Sequence, residues 1–281
     1  MGSEEPPSLV KALLRQLGLH PRKRLGQNFL VDREVLQKIV TAADLQPSDA
    51  VVEVGPGLGV LTEELARRVA VLVAVELDRG LAAALERMLD RYPSVKVVNA
   101  DVLHFDPAQY LKGQPYKVVA NLPYYVTSPV LRHFLEAALK PSLMVVMVQR
   151  EVAQRIVAVP GEMSLLSVSV QFYGKPTLVT YVPAAAFYPR PKVESAVVRI
   201  DVYERPAVDV DSDKFFRVVQ AGFSQPRKML HNALAQRVWL PPGGAIEVLR
   251  AAGIDEKRRA QTLTLDEWGA LTRELETRGF A

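Results

Sequence analysis

The chain has 281 residues, 49% of them hydrophobic, and a formal net charge of +4 from 35 Lys and Arg against 31 Asp and Glu. That length suits one large domain or a large one with a small one, and the apolar content suffices for a sizeable core. The absence of cysteine excludes disulfides and Cys-ligated zinc, while the mild basic excess permits a polyanionic partner without demanding one. The N-terminus Met1-Gly2-Ser3-Glu4-Glu5-Pro6-Pro7 is acidic and Pro-rich, unlike a signal or transit peptide, and residues 9–19 are too short and too charged to span a membrane. A cytoplasmic protein with no membrane partner is the expectation.

In chain order, Ser8 caps a short amphipathic helix carrying Leu9, Ala12, Leu13 and Leu17 on one side and stopped by Gly18. A basic loop over 20–30 follows, and Asp32 caps a helix whose inner face is Val35, Leu36, Ile39, Val40 and Ala43. Strands are predicted over 50–54, 70–75, 95–98, 116–120 and 143–148, with helices over 58–69 and 80–91 and a third opened by Ser128-Pro129. The apolar runs lack alternation, as parallel strands covered on both faces require, so strands alternating with helices predict an α/β doubly wound sheet. Residues 177–182 and 195–202 predict an antiparallel pair at the sheet edge. Glu204-Arg205-Pro206 reads as a linker, and the helices over 213–222, 227–238, 245–252 and 265–278 make a small all-α domain.

Glu53-Val54-Gly55-Pro56-Gly57-Leu58-Gly59 follows the first strand of the alternating series and opens a helix, where glycines let backbone approach a ligand closely. Val60 stands where a dinucleotide fingerprint has its third glycine, which weakens a pyrophosphate cradle and leaves a plain strand-to-helix turn as the alternative. Glu76 ends the next strand, about 20 residues on, where an acid can accept from both ribose hydroxyls. Asp78 fits better as an acid favouring a helix N-terminus. Asp101 in Asn99-Ala100-Asp101 can accept from an adenine amine, or be a solvated loop carboxylate. These strand ends lie on one edge of the sheet, where ligands bind in such folds.

Asn121-Leu122-Pro123-Tyr124 falls at the following strand end. Leu122 precedes proline, so its backbone is pushed toward an extended conformation. Its carbonyl and the Asn121 side-chain oxygen can then face one exocyclic NH2, with the Tyr124 ring offered for stacking. The same residues also suit an ordinary turn. His20, His104, His133 and His231 have no metal-like spacing, so no metal is assigned.

Together with Gln27-Asn28-Phe29-Leu30 and Pro189-Arg190-Pro191-Lys192-Val193-Glu194-Ser195, these motifs resemble the ribosomal RNA adenine N6,N6-dimethyltransferase family over almost the whole chain. Within it the match is to the bacterial branch that dimethylates two adjacent adenines near the 3′ end of 16S rRNA. The resemblance implies a Rossmann-like S-adenosylmethionine-dependent methyltransferase domain over 1–203 and a helical domain docking on RNA or ribosome over 204–281. It implies S-adenosylmethionine contacts at Asn28, Leu30, Gly55, Glu76, Asp101 and Asn121, and a catalytic set of Asn121, Leu122, Pro123 and Tyr124. It implies 16S rRNA in an immature small ribosomal subunit as partner, no DNA, and a monomer. Candidate RNA contacts are Arg22, Lys23, Arg24, Arg190, Lys192, Arg227 and Lys228, with Lys257-Arg258-Arg259 as a further basic stretch; each is otherwise a solvated surface charge. One departure is Pro226, where family members usually carry the first of two arginines before the lysine, and helix 227–238 is expected to start beside it.

Three other readings share parts of this pattern. A dinucleotide dehydrogenase shares the fold class but leaves Asn121 to Tyr124 without a reason. A methyltransferase of the macrolide-resistance type, acting on one 23S adenine, shares the catalytic motifs. A non-catalytic RNA-binding assembly factor, or an organellar transcription factor of the same family, keeps the fold.

Overall fold

The computed structural model describes residues 6–238 and 240–279, apart from the side chains of residues 6, 7, 9 and 23. The Lys23 side chain, and the reading of residues 1–5, therefore lie outside the described residues. Contacts divide the chain into two units, Met1–Ala153 with Pro176–Val202, and Gln154–Lys175 with Tyr203–Ala281.

In chain order the elements are α1 (Pro6–Gln16), β1 (Phe29–Leu30), α2 (Arg33–Ala42), β2 (Ala50–Val54), α3 (Val60–Ala66), β3 (Val71–Glu76), α4 (Arg79–Leu89), β4 (Val95–Asn99), α5 (Pro107–Leu111) and β5 (Lys117–Asn121). There follow α6 (Thr127–Leu135), β6 (Leu143–Gln149), α7 (Arg150–Ile156), α8 (Leu165–Tyr173), β7 (Gly174–Val182), β8 (Phe187–Tyr188) and β9 (Ser195–Val202). The chain ends in α9 (Ser212–Phe223), α10 (Leu230–Arg237), α11 (Gly244–Ala251) and α12 (Leu265–Thr277).

The first unit is built on a seven-stranded sheet ordered β4-β3-β2-β5-β6-β9-β7. β2, β3, β4, β5 and β6 are mutually parallel, and β9 joins β6 antiparallel. All five residues of β2 are buried, as a central parallel strand covered on both faces requires. α2 turns Val35, Leu36, Ile39 and Val40 into the core, and Asp32 caps it by accepting from the amides of Glu34 and Val35. The chain runs from β2 through β3 to β4 on one side and then crosses to β5 on the other. The sheet order thus reverses between β2 and β5, which places the ligand crevice of this architecture beyond their C-terminal ends. Val54 pairs with Val75 on one side and Ala120 on the other, and Glu76 pairs with Asn99. This register brings Gly55, Glu76 and Asn121 to one edge.

Outside this sheet, β1 and β8 form a two-stranded antiparallel pair, Phe29 opposite Tyr188 and Leu30 opposite Phe187. It carries the N-terminal segment over to the chain just ahead of Pro189.

The second unit is helical. Its core holds Trp268, Phe172 and Phe215, all fully buried. Phe172 and Phe215 stack with ring centroids 4.4 Å apart. Two glycines permit the helices to close on one another: a Cβ on Gly222 would lie 2.4 Å from the Trp268 ring, and one on Gly269 would lie 2.2 Å from Val208.

Three expectations change. The sequence places the whole of 1–203 in the first domain, whereas contacts group Gln154–Lys175 with the second unit. The cause is α8, which is apolar nearly all round and packs through Phe172 on Phe215, with Ala207 donating to the Phe172 carbonyl at 2.8 Å. The helix expected over 58–69 starts only at Val60, because Gly59 sits at φ 80°, outside helical space. The helix expected from Arg227 starts at Leu230, and Arg227 and Lys228 occupy an exposed turn before it.

Candidate active site

The glycine loop between β2 and α3 has Gly55, Gly57 and Gly59 at φ 69°, 60° and 80°, a backbone region that favours glycine. A Cβ on Gly59 would meet Leu85 Cδ2 at 2.8 Å, so its glycine also serves packing. Gly55 donates to the Val75 carbonyl at 3.0 Å, and a Cβ there would stand 3.5 Å from the Asn121 carbonyl. The loop therefore spans the gap between β3 and β5 with bare backbone.

Glu76 ends β3 as a buried carboxyl. Its Oε1 accepts from the Asp78 amide at 2.8 Å and its Oε2 from the Gly57 amide at 3.2 Å. Each oxygen keeps a lone pair for a ligand donor. Burial pushes its pKa up to about 7, against the pull of those backbone amides. Asp78 serves the fold instead, capping α4 through the Gly80 and Leu81 amides and pairing with Arg22 at 2.9 Å. Asp101 accepts from the Leu103 amide at 3.0 Å, capping a short turn, and lies half-exposed.

Asn121 ends β5. Its Nδ2 donates to the Asn28 carbonyl at 3.2 Å, and Asn28 in turn donates to the Gly26 carbonyl at 3.1 Å. A carbonyl partner accepts only from the amide nitrogen, so this bond fixes which way the carboxamide faces. Among the described residues no donor meets Asn121 Oδ1 or the Leu122 carbonyl. The Leu122 amide is held by the Met147 carbonyl at 3.1 Å. Tyr124 is half-buried, and its hydroxyl meets the Ser195 hydroxyl at 2.7 Å. Burial raises the Tyr124 pKa, so the ring is a neutral phenol at physiological pH. Ser195 is fully buried at the start of β9, so the last residue of the Pro189 to Ser195 motif anchors the last residue of the tetrapeptide.

Asn28, Leu30, Gly55, Glu76, Asp101 and Asn121 all line one pocket, together with Leu122, Pro123 and Tyr124. The pocket also has a wall that the sequence reading left without a role, Glu53. It is the next-to-last residue of β2, 1% exposed, and burial drives its pKa up to about 8. The Thr62 hydroxyl lies beside it and draws the value partly back, yet neither Glu53 Oε2 nor Thr62 Oγ1 completes a hydrogen bond of good geometry. An acid inside an otherwise apolar strand was the signal available in the sequence. Because folding raises this pKa from 4.5, its contribution to stability is intact below about pH 4.5 and is lost as pH rises through about 8. Glu53→Gln, which cannot ionise, is therefore expected to match the wild type in thermal unfolding at pH 4.5 and to exceed it increasingly up to pH 9, by on the order of 2–4 kcal/mol. A difference independent of pH would show that Glu53 is not held neutral by the fold.

The basic candidates separate by their partners. Arg22 pairs with Asp78 through Nη1 and is itself exposed. Arg24, Arg190, Lys192, Arg227 and Lys228 are exposed. Arg258 is tied to Glu267 and the Thr262 carbonyl, so it holds the second unit together.

Fold and pocket define the class, a Rossmann-like methyltransferase that uses S-adenosylmethionine. The pocket fits that group on its own geometry: a buried carboxyl with unspent acceptors on β3, a second acid at the next strand end, and side-chain-free backbone at Gly55. A family model described as ribosomal RNA adenine dimethylase matches residues 18–277, and the chain belongs to this family. A ribosomal RNA small subunit methyltransferase A from Dehalococcoides mccartyi is 50% identical over 94% of this chain and 93% of its own. Among solved structures, the 23S rRNA methyltransferase ErmE is 29% identical with a TM-score of 0.71, over 89% of this chain and 100% of that one. A Plasmodium falciparum dimethyladenosine transferase, at 23% identity over 90% and 98% of the two chains, shares the fold with a TM-score of 0.77.

Proposed function

We propose that this enzyme transfers methyl groups from S-adenosylmethionine to the N6 amines of two adjacent adenosines near the 3′ end of 16S rRNA. It acts as a cytoplasmic monomer on an immature small ribosomal subunit. The observation that carries this reading is the Asn121 to Tyr124 turn, held over the same pocket as the glycine loop and Glu76, with two unspent acceptors beside an anchored aromatic ring.

When bound, S-adenosylmethionine supplies an electrophilic methyl on a sulfonium. The chain's own residues act on the amine. Its lone pair is delocalised into the purine, so Asn121 Oδ1 and the Leu122 carbonyl accept from the two N6 hydrogens and favour a more tetrahedral nitrogen. No strong base is required, because the nitrogen becomes acidic as it gains a methyl. Tyr124 holds the base by its face, a contact of on the order of 1–3 kcal/mol. Glu76 takes the ribose hydroxyls and Asp101 the adenine amine of the cofactor, while Asn28 and Leu30 close the pocket from β1 and the segment before it. The adenosine enters unpaired or extruded from a helix, since a stacked base cannot reach such a pocket. The exposed Arg24, Arg190 and Lys192 of the first unit, and Arg227 and Lys228 of the second, supply phosphate contacts that set affinity and register.

The identity of 50% with a small-subunit methyltransferase, against 29% with the 23S enzyme, favours the small subunit as substrate. Purified protein with labelled S-adenosylmethionine is expected to methylate small subunits lacking this modification, at two adjacent adenosines located by mapping the modified nucleotides. Transfer to large-subunit RNA instead would sink the assignment, and binding to small subunits without any transfer would favour the non-catalytic reading.

A further inference from the structure

Tyr125 stands at the mouth of the pocket with its ring turned outward. It follows Tyr124 in the short helical turn Tyr124–Val126, whose threefold period points successive side chains about 120° apart. Tyr124 turns inward to Ser195, whereas Tyr125 is 56% exposed while still lining the pocket. One edge of its ring rests on Gly26, where a Cβ would lie 3.6 Å from ring atoms Cδ1 and Cε1. Gly26 directly follows the turn Lys23–Leu25, whose Arg24 is exposed and has no ion-pair partner among the described residues. An exposed ring thus borders the opening, and an exposed arginine without an ion-pair partner among the described residues lies two positions before the glycine that ring rests on.

Extruding an adenosine into the pocket strips it from its neighbour in the strand and leaves that neighbour's face bare. Single-stranded RNA sites recover such faces on aromatic rings and hold the linking phosphates with cations. We propose that Tyr125 and Arg24 form a subsite for the nucleotide adjacent to the target adenosine, its base stacked on Tyr125 and its phosphate paired with Arg24. Two consecutive tyrosines, one turned in and one turned out, then serve two consecutive bases. This inference rests on the RNA-adenosine reading above.

The test uses the full chain, S-adenosylmethionine and small ribosomal subunits lacking the modification. Tyr125→Ala is expected to raise KM for the subunits by about tenfold, with the calorimetric Kd for S-adenosylmethionine changed less than about twofold and Tyr125→Phe restoring KM. Arg24→Ala is expected to weaken subunit binding and to lower the slope of log K against log salt by about one. A wild-type KM in Tyr125→Ala would overturn the subsite. So would a parallel loss of cofactor affinity, which would make the ring a wall of the cofactor pocket. An inactive wild type would sink the adenosine reading and the subsite with it, whereas an active wild type beside an unimpaired Tyr125→Ala would sink the subsite alone.

Discussion

Asn121→Ala is expected to lower kcat for methyl transfer by at least about 100-fold while changing the Kd for S-adenosylmethionine by no more than about threefold. The argument rests on orientation. The Asn121 carboxamide is aimed by its own donor, the Nδ2 bond to the Asn28 carbonyl at 3.2 Å, so that Oδ1 faces the pocket unspent. Alanine removes both the acceptor and the tie to the N-terminal segment. The amine loses one of two acceptors, and a small misplacement of a reacting nitrogen is enough to cost two orders of magnitude. Cofactor affinity is expected to survive because the proposed cofactor contacts Glu76, Asp101 and the glycine loop hang on β3, β4 and β2 rather than on β5. Single-turnover transfer with labelled cofactor reads the first quantity and calorimetry the second. Equal turnover in the variant would remove Asn121 from the reaction; a collapse of cofactor affinity with little further loss in kcat would make it a binding residue only.

The sheet was legible because its strands are apolar runs buried on both faces, and burial of that kind leaves no alternation to misread. The same reasoning explains what stayed hidden. α8 is buried on nearly every side, so no amphipathic period marks it, and its Ser164 cap with Ser167 is a short signal easily lost. The β1–β8 pair is two residues long on each strand, below any periodicity. α10 starts late because the turn at 224–229 follows from tertiary packing, with Leu230 fully buried and its amide held by the Arg258 carbonyl.

The candidate site shows the same division. The glycines, Glu76, Asp101 and the tetrapeptide could be read locally, since each sits at a strand end and the register of parallel strands gathers strand ends on one edge. The bond between Tyr124 and Ser195 spans 71 positions and has no local signature, although both residues belong to motifs the sequence displays. The tie from Asn121 to the Asn28 backbone spans 93 and is equally silent, because a carbonyl acceptor carries no residue preference. Arg22 shows the opposite limit. A basic tripeptide reads as one patch, but its first member also pairs with a buried aspartate while its side chain stays exposed.

Glu76 carries the second large expectation, a pH dependence of cofactor binding. In the free protein its carboxyl is pushed up to about 7 by burial, so near neutrality it is only part ionised. Its proposed role, accepting from two ribose hydroxyls, requires the carboxylate, because a protonated acid offers one oxygen fewer as acceptor. Binding therefore favours the deprotonated form. Affinity for S-adenosylmethionine is expected to be level above about pH 8 and to fall about tenfold for each pH unit below 7, with a proton released on binding across that range. Folding stability of the free protein runs the other way: with a pKa raised from 4.5, the Glu76 contribution is intact at low pH and lost as pH rises through about 7, and bound cofactor offsets that loss. Replacing the carboxylate by Glu76→Ala removes two charge-assisted hydrogen bonds at about 1.5–3 kcal/mol apiece, so a loss of affinity of about 100-fold to 10,000-fold is expected at pH 8. Glu76→Gln separates charge from shape: it should bind weakly but with a profile flat from pH 5.5 to 8.5, leaving any residual slope to Glu53. Calorimetric titration with S-adenosylmethionine in buffers of different ionisation enthalpy measures affinity and proton release together. A wild-type affinity that did not change between pH 6 and pH 8 would show that Glu76 is already ionised in the free protein, and that the Gly57 and Asp78 amides outweigh its burial.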